Sequence, residues 1–161
     1  MITLSVLVPS MGRPTLQRTI DSILPQLAMT DQLLIDINGD CPWGGAARNR
    51  MMNAADGDAI CFMDDDDIYL PDAFKTIRVR FAEAPTRVHI FKMRYADGRE
   101  LWIDEHVYEG NVSTQMVVVP NEATPGWTDR YQGDLDFIIH ACEQLGDPVW
   151  HPEVIALIRP Q

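Results

Sequence analysis

Three short apolar runs limit the fold most tightly. Leu4–Val8, Leu33–Ile37 and Ala59–Met63 are strand-length and almost continuously apolar, and each stops at a residue suited to a loop: Pro9, Asn38 and Asp64. Such runs read as strands covered on both faces. A helical pattern follows each. After the first, Pro14 occupies a first turn, where its missing N–H costs nothing, and Leu16, Ile20, Ile23, Leu24 and Leu27 line one face. Pro25 is expected to fray or kink the end of that helix. After the second run, Ala46–Ala55 is rich in Ala and Met with no breaker; after the third, a helix opened by Pro71 carries Phe74, Ile77, Val79 and Phe81. The alternation predicts an α/β, Rossmann-like sandwich with a mostly parallel central sheet flanked by helices. Ligands of such sheets collect beyond the C-terminal strand ends. The loops after Pro9, Asn38 and Asp64 should therefore share one crevice.

The second half has a different grammar. Val88–Met93 and Glu100–Ile103 flank the hairpin signal Ala96-Asp97-Gly98, and Met116–Val119 is a further buried strand. Asp134–Leu145 is a helix closed by Gly146, and Val154–Ile158 is a last short strand. At 161 residues the chain is expected to form one domain, with a first half over about 1–75 and a second half over about 76–161.

The formal net charge of −11 opposes broad electrostatic binding to a polyphosphate backbone and suits a divalent cation. Cys41, Cys61 and Cys142 are odd in number and lack metal-ligand spacing, which points to a reducing, cytoplasmic setting. The N-terminus has no signal-peptide pattern, and no run reaches the roughly 20 apolar residues that span a bilayer, so no integral membrane segment is expected.

The aspartate run Asp64–Asp67 carries the chemistry. Adjacent carboxylates raise one another's pKa, and bound Mg²⁺ or Mn²⁺ relieves that repulsion while preferring oxygen ligands shared with phosphate. In an extended chain Asp64 and Asp66 face one way and Asp65 and Asp67 the other. One pair can face a nucleotide and its metal while the other caps the next helix or faces solvent. A solvated acidic turn capping the helix at Pro71 is the competing reading.

Four blocks, in order and at consistent spacing, carry a family resemblance: Val6-Leu7-Val8-Pro9-Ser10-Met11-Gly12-Arg13-Pro14, then Gly45-Ala46-Ala47-Arg48-Asn49, then Ala55-Asp56-Gly57-Asp58-Ala59-Ile60, then Phe62-Met63-Asp64-Asp65-Asp66-Asp67-Ile68-Tyr69-Leu70-Pro71-Asp72. Together they resemble the family 2 glycosyltransferases of the GT-A fold, clearly over residues 4–75 and traceably to about 158. The resemblance implies a metal-dependent, inverting transfer of sugar from a nucleotide-diphospho-sugar, a UDP-sugar or GDP-sugar, to an acceptor hydroxyl. The acceptor would be a glycan, a lipid-linked molecule or a small molecule.

Asp64-Asp65-Asp66 takes the place of the family's DxD element. By that match Asp66 binds the metal (Mn²⁺ or Mg²⁺), Asp64 approaches the ribose or the metal, and Asp65 touches the nucleotide. Pro9, Ser10 and Gly12 would line the base and ribose pocket with Arg13 beside them. Arg48 would sit near the donor or, alternatively, on the helix surface. The family's uracil-reading aspartate has no clean equivalent in Ile35-Asp36-Ile37-Asn38-Gly39-Asp40; Asp36 or Asn38 could take that task.

Inverting transfer also needs a carboxylate to accept the acceptor's proton. Asp134, in Gly133-Asp134-Leu135-Asp136, is the first choice and Asp136 the second; the competing reading is a carboxylate favoured at a helix start by the dipole. His151 matches a C-terminal metal-binding histidine of GT-A enzymes, against a purely structural role. Trp127 lies in the acceptor-loop region and would stack on a sugar if exposed or join the core if buried. Two other functions compete: a sugar nucleotidyltransferase, for which Ser10-Met11-Gly12-Arg13 is a thin phosphate loop, and a nucleotide-binding module without turnover.

Overall fold

The computed structural model describes residues 1–37, 43–123 and 125–160. Strand β1 (Leu4–Ser10) is followed by helix α1 (Leu16–Ile23), β2 (Gln32–Ile37), α2 (Gly45–Met52), β3 (Ala59–Phe62), β4 (Ile68–Tyr69) and α3 (Ala73–Glu83). The second half contains β5 (His89–Tyr95), β6 (Glu100–Leu101), β7 (Val117–Pro120), α4 (Gly133–Leu145) and β8 (Val149–Ile158). As expected, Pro25 ends α1 early, and the chain continues as a 3₁₀ turn over Leu24–Gln26.

The strand order is β2-β1-β3-β7-β5-β8-β4, with β6 on β5. Parallel pairing joins β1 to β2 and β3, and β5 to β8. The expectation of a mostly parallel sheet needs correction: β7 runs antiparallel to both β3 and β5, and β4 runs antiparallel to β8. The reason is connectivity. Parallel neighbours require a crossover, usually a helix, and the chain forms no α-helix between β5 and β7. β7 therefore returns reversed and slots between β3 and β5.

Every residue of β1, β3 and β7 is buried, as befits central strands covered on both faces. β2 is an edge strand, and Ile35 and Ile37 on it are exposed. Helix α3 packs Phe74, Ile77 and Phe81 inward; Val79, expected on that face, is exposed. Phe62 of β3 and Phe137 of α4 meet edge to face at 5.3 Å, and Trp127 stacks on Phe137 at 4.2 Å. This aromatic cluster fixes α4 against the sheet directly below the C-terminal end of β3.

Helices α2 and α4 both begin against residue 128. A Cβ added to Gly45 would lie 2.7 Å from the Thr128 carbonyl oxygen, and one added to Gly133 would clash with the same atom. Glycine is required there because backbone approaches backbone. The close approach brings Arg48 on α2 and Asp134 on α4 to one cleft.

Candidate active site

The cleft lies beyond the C-terminal ends of β1 and β3. It is lined by Pro9, Ser10, Met11 and Arg13 after β1, by Asp64, Asp65 and Asp66 after β3, by Arg48, and by Ser113, Asp134 and Arg159 from the second half. The topology explains the convergence. Both parallel strands end at the same edge, and α2 and α4 are drawn together over Thr128.

Exposure alternates through the aspartate run, although the run is a turn, closed by Asp67 N donating to the Asp64 carbonyl at 3.3 Å, and not the extended chain expected. Asp65 and Asp67 are buried, while the side chains of Asp64 and Asp66 are 36% and 26% exposed. The buried pair faces neither solvent nor the start of α3, however. Ser10 Oγ donates to Asp65 Oδ2 at 2.6 Å, Met11 N donates to the same oxygen at 3.3 Å, and Gly12 N donates to Ser10 Oγ at 2.9 Å. Asp65 thereby shapes the turn after β1.

Asp67 ties three elements together. Its Oδ1 accepts from the Arg159 backbone N–H at 2.7 Å, its Oδ2 accepts from Gln115 Nε2, and its carbonyl accepts from Thr19 Oγ1 at 2.7 Å. Burial, followed by the charges of Asp64 and Asp66, pushes its carboxyl up to about 7, against the hydrogen bonds that oppose the shift.

Arg48 is buried and ion-paired with Asp64, and its Nη1 donates to the Trp43 carbonyl at 2.9 Å. The surface-arginine alternative is thereby excluded. Its guanidinium lies over Trp127, 4.7 Å from the ring centroid. Trp127 itself is buried and held by reciprocal hydrogen bonds with Asn49, so it is part of the core beneath the cleft and offers no exposed face.

Arg13 Nη1 lies 3.1 Å from Asp66 Oδ2 and 3.3 Å from Asp65 Oδ1. Arg159 Nε approaches Asp66 at 4.0 Å. The exposed aspartates Asp64 and Asp66 are thus each faced by a guanidinium, which offsets part of the carboxylate charge gathered in the cleft.

Asp134 lies in the first turn of α4, where Ser113 Oγ donates to its Oδ2 at 3.3 Å and Leu135 N to its Oδ1 at 2.9 Å. Burial and the charge of Asp64 raise its pKa above the ordinary carboxylate value, outweighing both hydrogen bonds and Arg48. Asp136 has the opposite environment. Arg130 and Thr128 bind it and lower its pKa to about 2, and it does not line the cleft. The structure therefore separates the two candidates for the base.

Two further candidates lie away from the cleft. His151 is buried, stacked on Phe91 at 4.5 Å and hydrogen-bonded to His89 Nδ1 at 2.8 Å. Burial and the neighbouring His89 lower its pKa to about 4. The residue that β8 delivers to the aspartates is Arg159, eight positions later. Asp36 is bound by Arg50 Nε at 2.8 Å and does not line the cleft, and Asn38 lies outside the described residues.

Sequence reasoning missed Gln115, whose Nε2 donates to Asp64 Oδ2 at 2.8 Å as well as to Asp67. It sits in a 3₁₀ turn, Thr114–Met116, just ahead of β7. No local pattern marks it.

Among the described residues no group of three His, Cys, Asp or Glu side chains could enclose a metal ion alone. The donor chemistry still fits a divalent cation of the kind held by one or two carboxylates plus substrate phosphate. Among the described residues, Asp66 is engaged through Oδ2 alone, by Arg13 and Arg159, and Asp64 stands beside it on the cleft wall. None of the described helices is long and apolar enough to cross a membrane.

The model of the family described as Glycosyl transferase family 2 matches residues 40–130. No curated protein matches the chain in sequence. Among solved structures, TarS of S. aureus superposes with a TM-score of 0.76 at 13% identity, over 98% of this chain and 36% of TarS. TarS 1–349 in complex with UDP-GlcNAc gives 0.75 at 14% identity, over 97% of this chain and 58% of that one. Glucosyl-3-phosphoglycerate synthase from Mycobacterium tuberculosis, in complex with Mn²⁺ and UDP-Glc, gives 0.71 at 17% identity, over 99% and 72%. This chain thus spans less than two thirds of the TarS chains. At these identities the structural likeness establishes a shared fold.

Proposed function

The chain belongs to glycosyl transferase family 2, and we propose that it transfers a sugar from a UDP-sugar to an acceptor hydroxyl, with inversion and with help from a divalent metal. One observation carries the reading: Asp64 and Asp66 from the end of β3 and Asp134 from the start of α4 line one cleft. A donor-side carboxylate pair and a separate carboxylate of raised pKa are what this chemistry asks of a protein. The choice of uridine rests on the similar structures, TarS with UDP-GlcNAc and the synthase with UDP-Glc.

Each residue has a task in this reading. Pro9, Ser10, Gly12 and Asp65 shape the turn that receives the base and ribose. Asp66, with Asp64 as partner, would hold Mn²⁺ or Mg²⁺, which neutralises charge on a leaving diphosphate when bound. Arg13 and Arg48 exchange part of their pairing with aspartate for pairing with phosphate. Asp134 accepts the proton of the acceptor hydroxyl as its oxygen attacks the anomeric carbon and UDP departs. The raised pKa of Asp134 makes it a better proton acceptor than an ordinary surface carboxylate.

Incubation with UDP-Glc or UDP-GlcNAc and Mn²⁺, followed by chromatography for released UDP, tests the proposal. Release by transfer, or slowly to water, is expected, with loss in Asp134→Asn. Tight UDP binding without UDP release from any donor would instead mark a binding module without turnover.

A further inference from the structure

The cleft has an aromatic corner that the donor chemistry leaves unused. Trp43, just ahead of α2, and Tyr131, just ahead of α4, pack edge to face with ring centroids 5.5 Å apart and planes at 80°. Both line the cleft, yet Trp43 is 48% exposed and Tyr131 75%. Trp127, on the same cleft, is 5% exposed and stacked into the core. Two adjacent exposed rings forgo burial that folding ordinarily captures, so the pair gains most when a ligand covers it.

The geometry narrows the ligand. Perpendicular rings form a floor and a wall. A flat nucleobase stacks on one face and leaves the second ring idle. A pyranose has an apolar C–H face and an apolar exocyclic methylene at its edge, and can cover both rings while its hydroxyls point outward. The polar groups it needs are adjacent. Tyr131 precedes Asp134 by three residues, and Ser113 Oγ lies 3.3 Å from the Asp134 carboxylate. Asp134, which lines the cleft with the two rings, and Asp136, which pairs with Arg130 next to Tyr131, are carboxylates, and their charge favours a neutral ligand over an anionic one.

We infer that Trp43 and Tyr131 form an acceptor subsite for a neutral pyranose ring and turn one of its hydroxyls towards Asp134. This inference rests on the proposed transfer reaction, which it extends by assigning the acceptor's chemical class.

Saturation-transfer NMR with methyl pyranosides (the glucoside, galactoside and N-acetylglucosaminide), with and without UDP and Mn²⁺, tests it. At least one pyranoside should receive saturation at its ring C–H protons from the wild-type chain. The double variant Trp43→Ala/Tyr131→Ala should bind it roughly tenfold more weakly or worse, while Trp43→Phe/Tyr131→Phe retains most binding. UDP affinity with Mn²⁺ should change by no more than about twofold in the alanine variant, since tenfold would mean a lost contact. The subsite is overturned if no pyranoside binds the wild type, if the alanine variant binds it equally well, or if UDP affinity falls with the rings. Pyranoside binding through the pair without any UDP binding would refute the donor reading and leave the subsite standing.

Discussion

Arg48 reaches from α2 to pair with Asp64 at the end of β3, and this ion pair joins two sequence blocks sixteen residues apart. The arginine is buried and its partner is partly open to the cleft. A planar guanidinium that pairs with a carboxylate, lies over Trp127 and donates to the Trp43 carbonyl cannot be replaced by a lysine's point charge. Arg48→Lys should therefore weaken UDP binding while the chain stays folded. Arg48→Met, which leaves Asp64 its Gln115 hydrogen bond but no ion-pair partner, should cost roughly 1–3 kcal/mol of stability in urea denaturation, a modest figure because Asp64 keeps some solvent.

Asp134→Asn should lower transfer turnover by roughly 10²–10⁴ with UDP affinity unchanged. In the wild type the acid limb of the turnover profile should fall above the ordinary carboxylate range, because burial raises this carboxyl's pKa. Proton acceptance requires the ionised form, so rate rises with pH through that limb. Asp136→Asn should leave the limb in place, since Asp136 is held by Arg130 away from the cleft.

Asp67 makes the metal-free chain sensitive to pH. Its carboxyl is raised from 3.8 to about 7, so in that window the folded chain holds a proton that the unfolded chain has released. Stability must then fall as pH rises through the window. Thermal unfolding in EDTA should show a higher Tm at pH 5 than at pH 8 from this group, and Asp67→Asn should flatten the difference. Through this group the wild type should lose roughly 1–4 kcal/mol of stability between pH 5 and pH 8.

Gly133→Ala should destabilise the fold by roughly 1–3 kcal/mol, the range for overpacking a close-packed site. The added methyl meets the Thr128 carbonyl oxygen, and relief requires the start of α4 to move. Turnover should fall with stability, because Asp134 is the next residue; UDP affinity, set on the β1 and β3 side, should fall less.

These residues show what could be read in advance. The buried runs of β1 and β3, the early end of α1 at Pro25 and the hairpin about Asp97 follow from local pattern, which the sequence states directly. The reversal of β7 was not legible, since an apolar run is the same whichever way its neighbours point. Gln115 was invisible because its importance lies in reaching Asp64 and Asp67 across the fold, some fifty residues away. His151 misled for a related reason. Its place in the chain suited a metal ligand, but β8 turns it inward onto His89 and Phe91 and carries Arg159 to the aspartates.

Calorimetric titration of UDP into the chain, with Mn²⁺ and with EDTA, tests the central claim that the aspartate run is a metal-assisted donor site. The wild type should bind UDP at least about tenfold more tightly with Mn²⁺, and Asp66→Ala should lose that enhancement while remaining folded. Equal UDP affinity with and without metal, or an undiminished metal enhancement in Asp66→Ala, would contradict it.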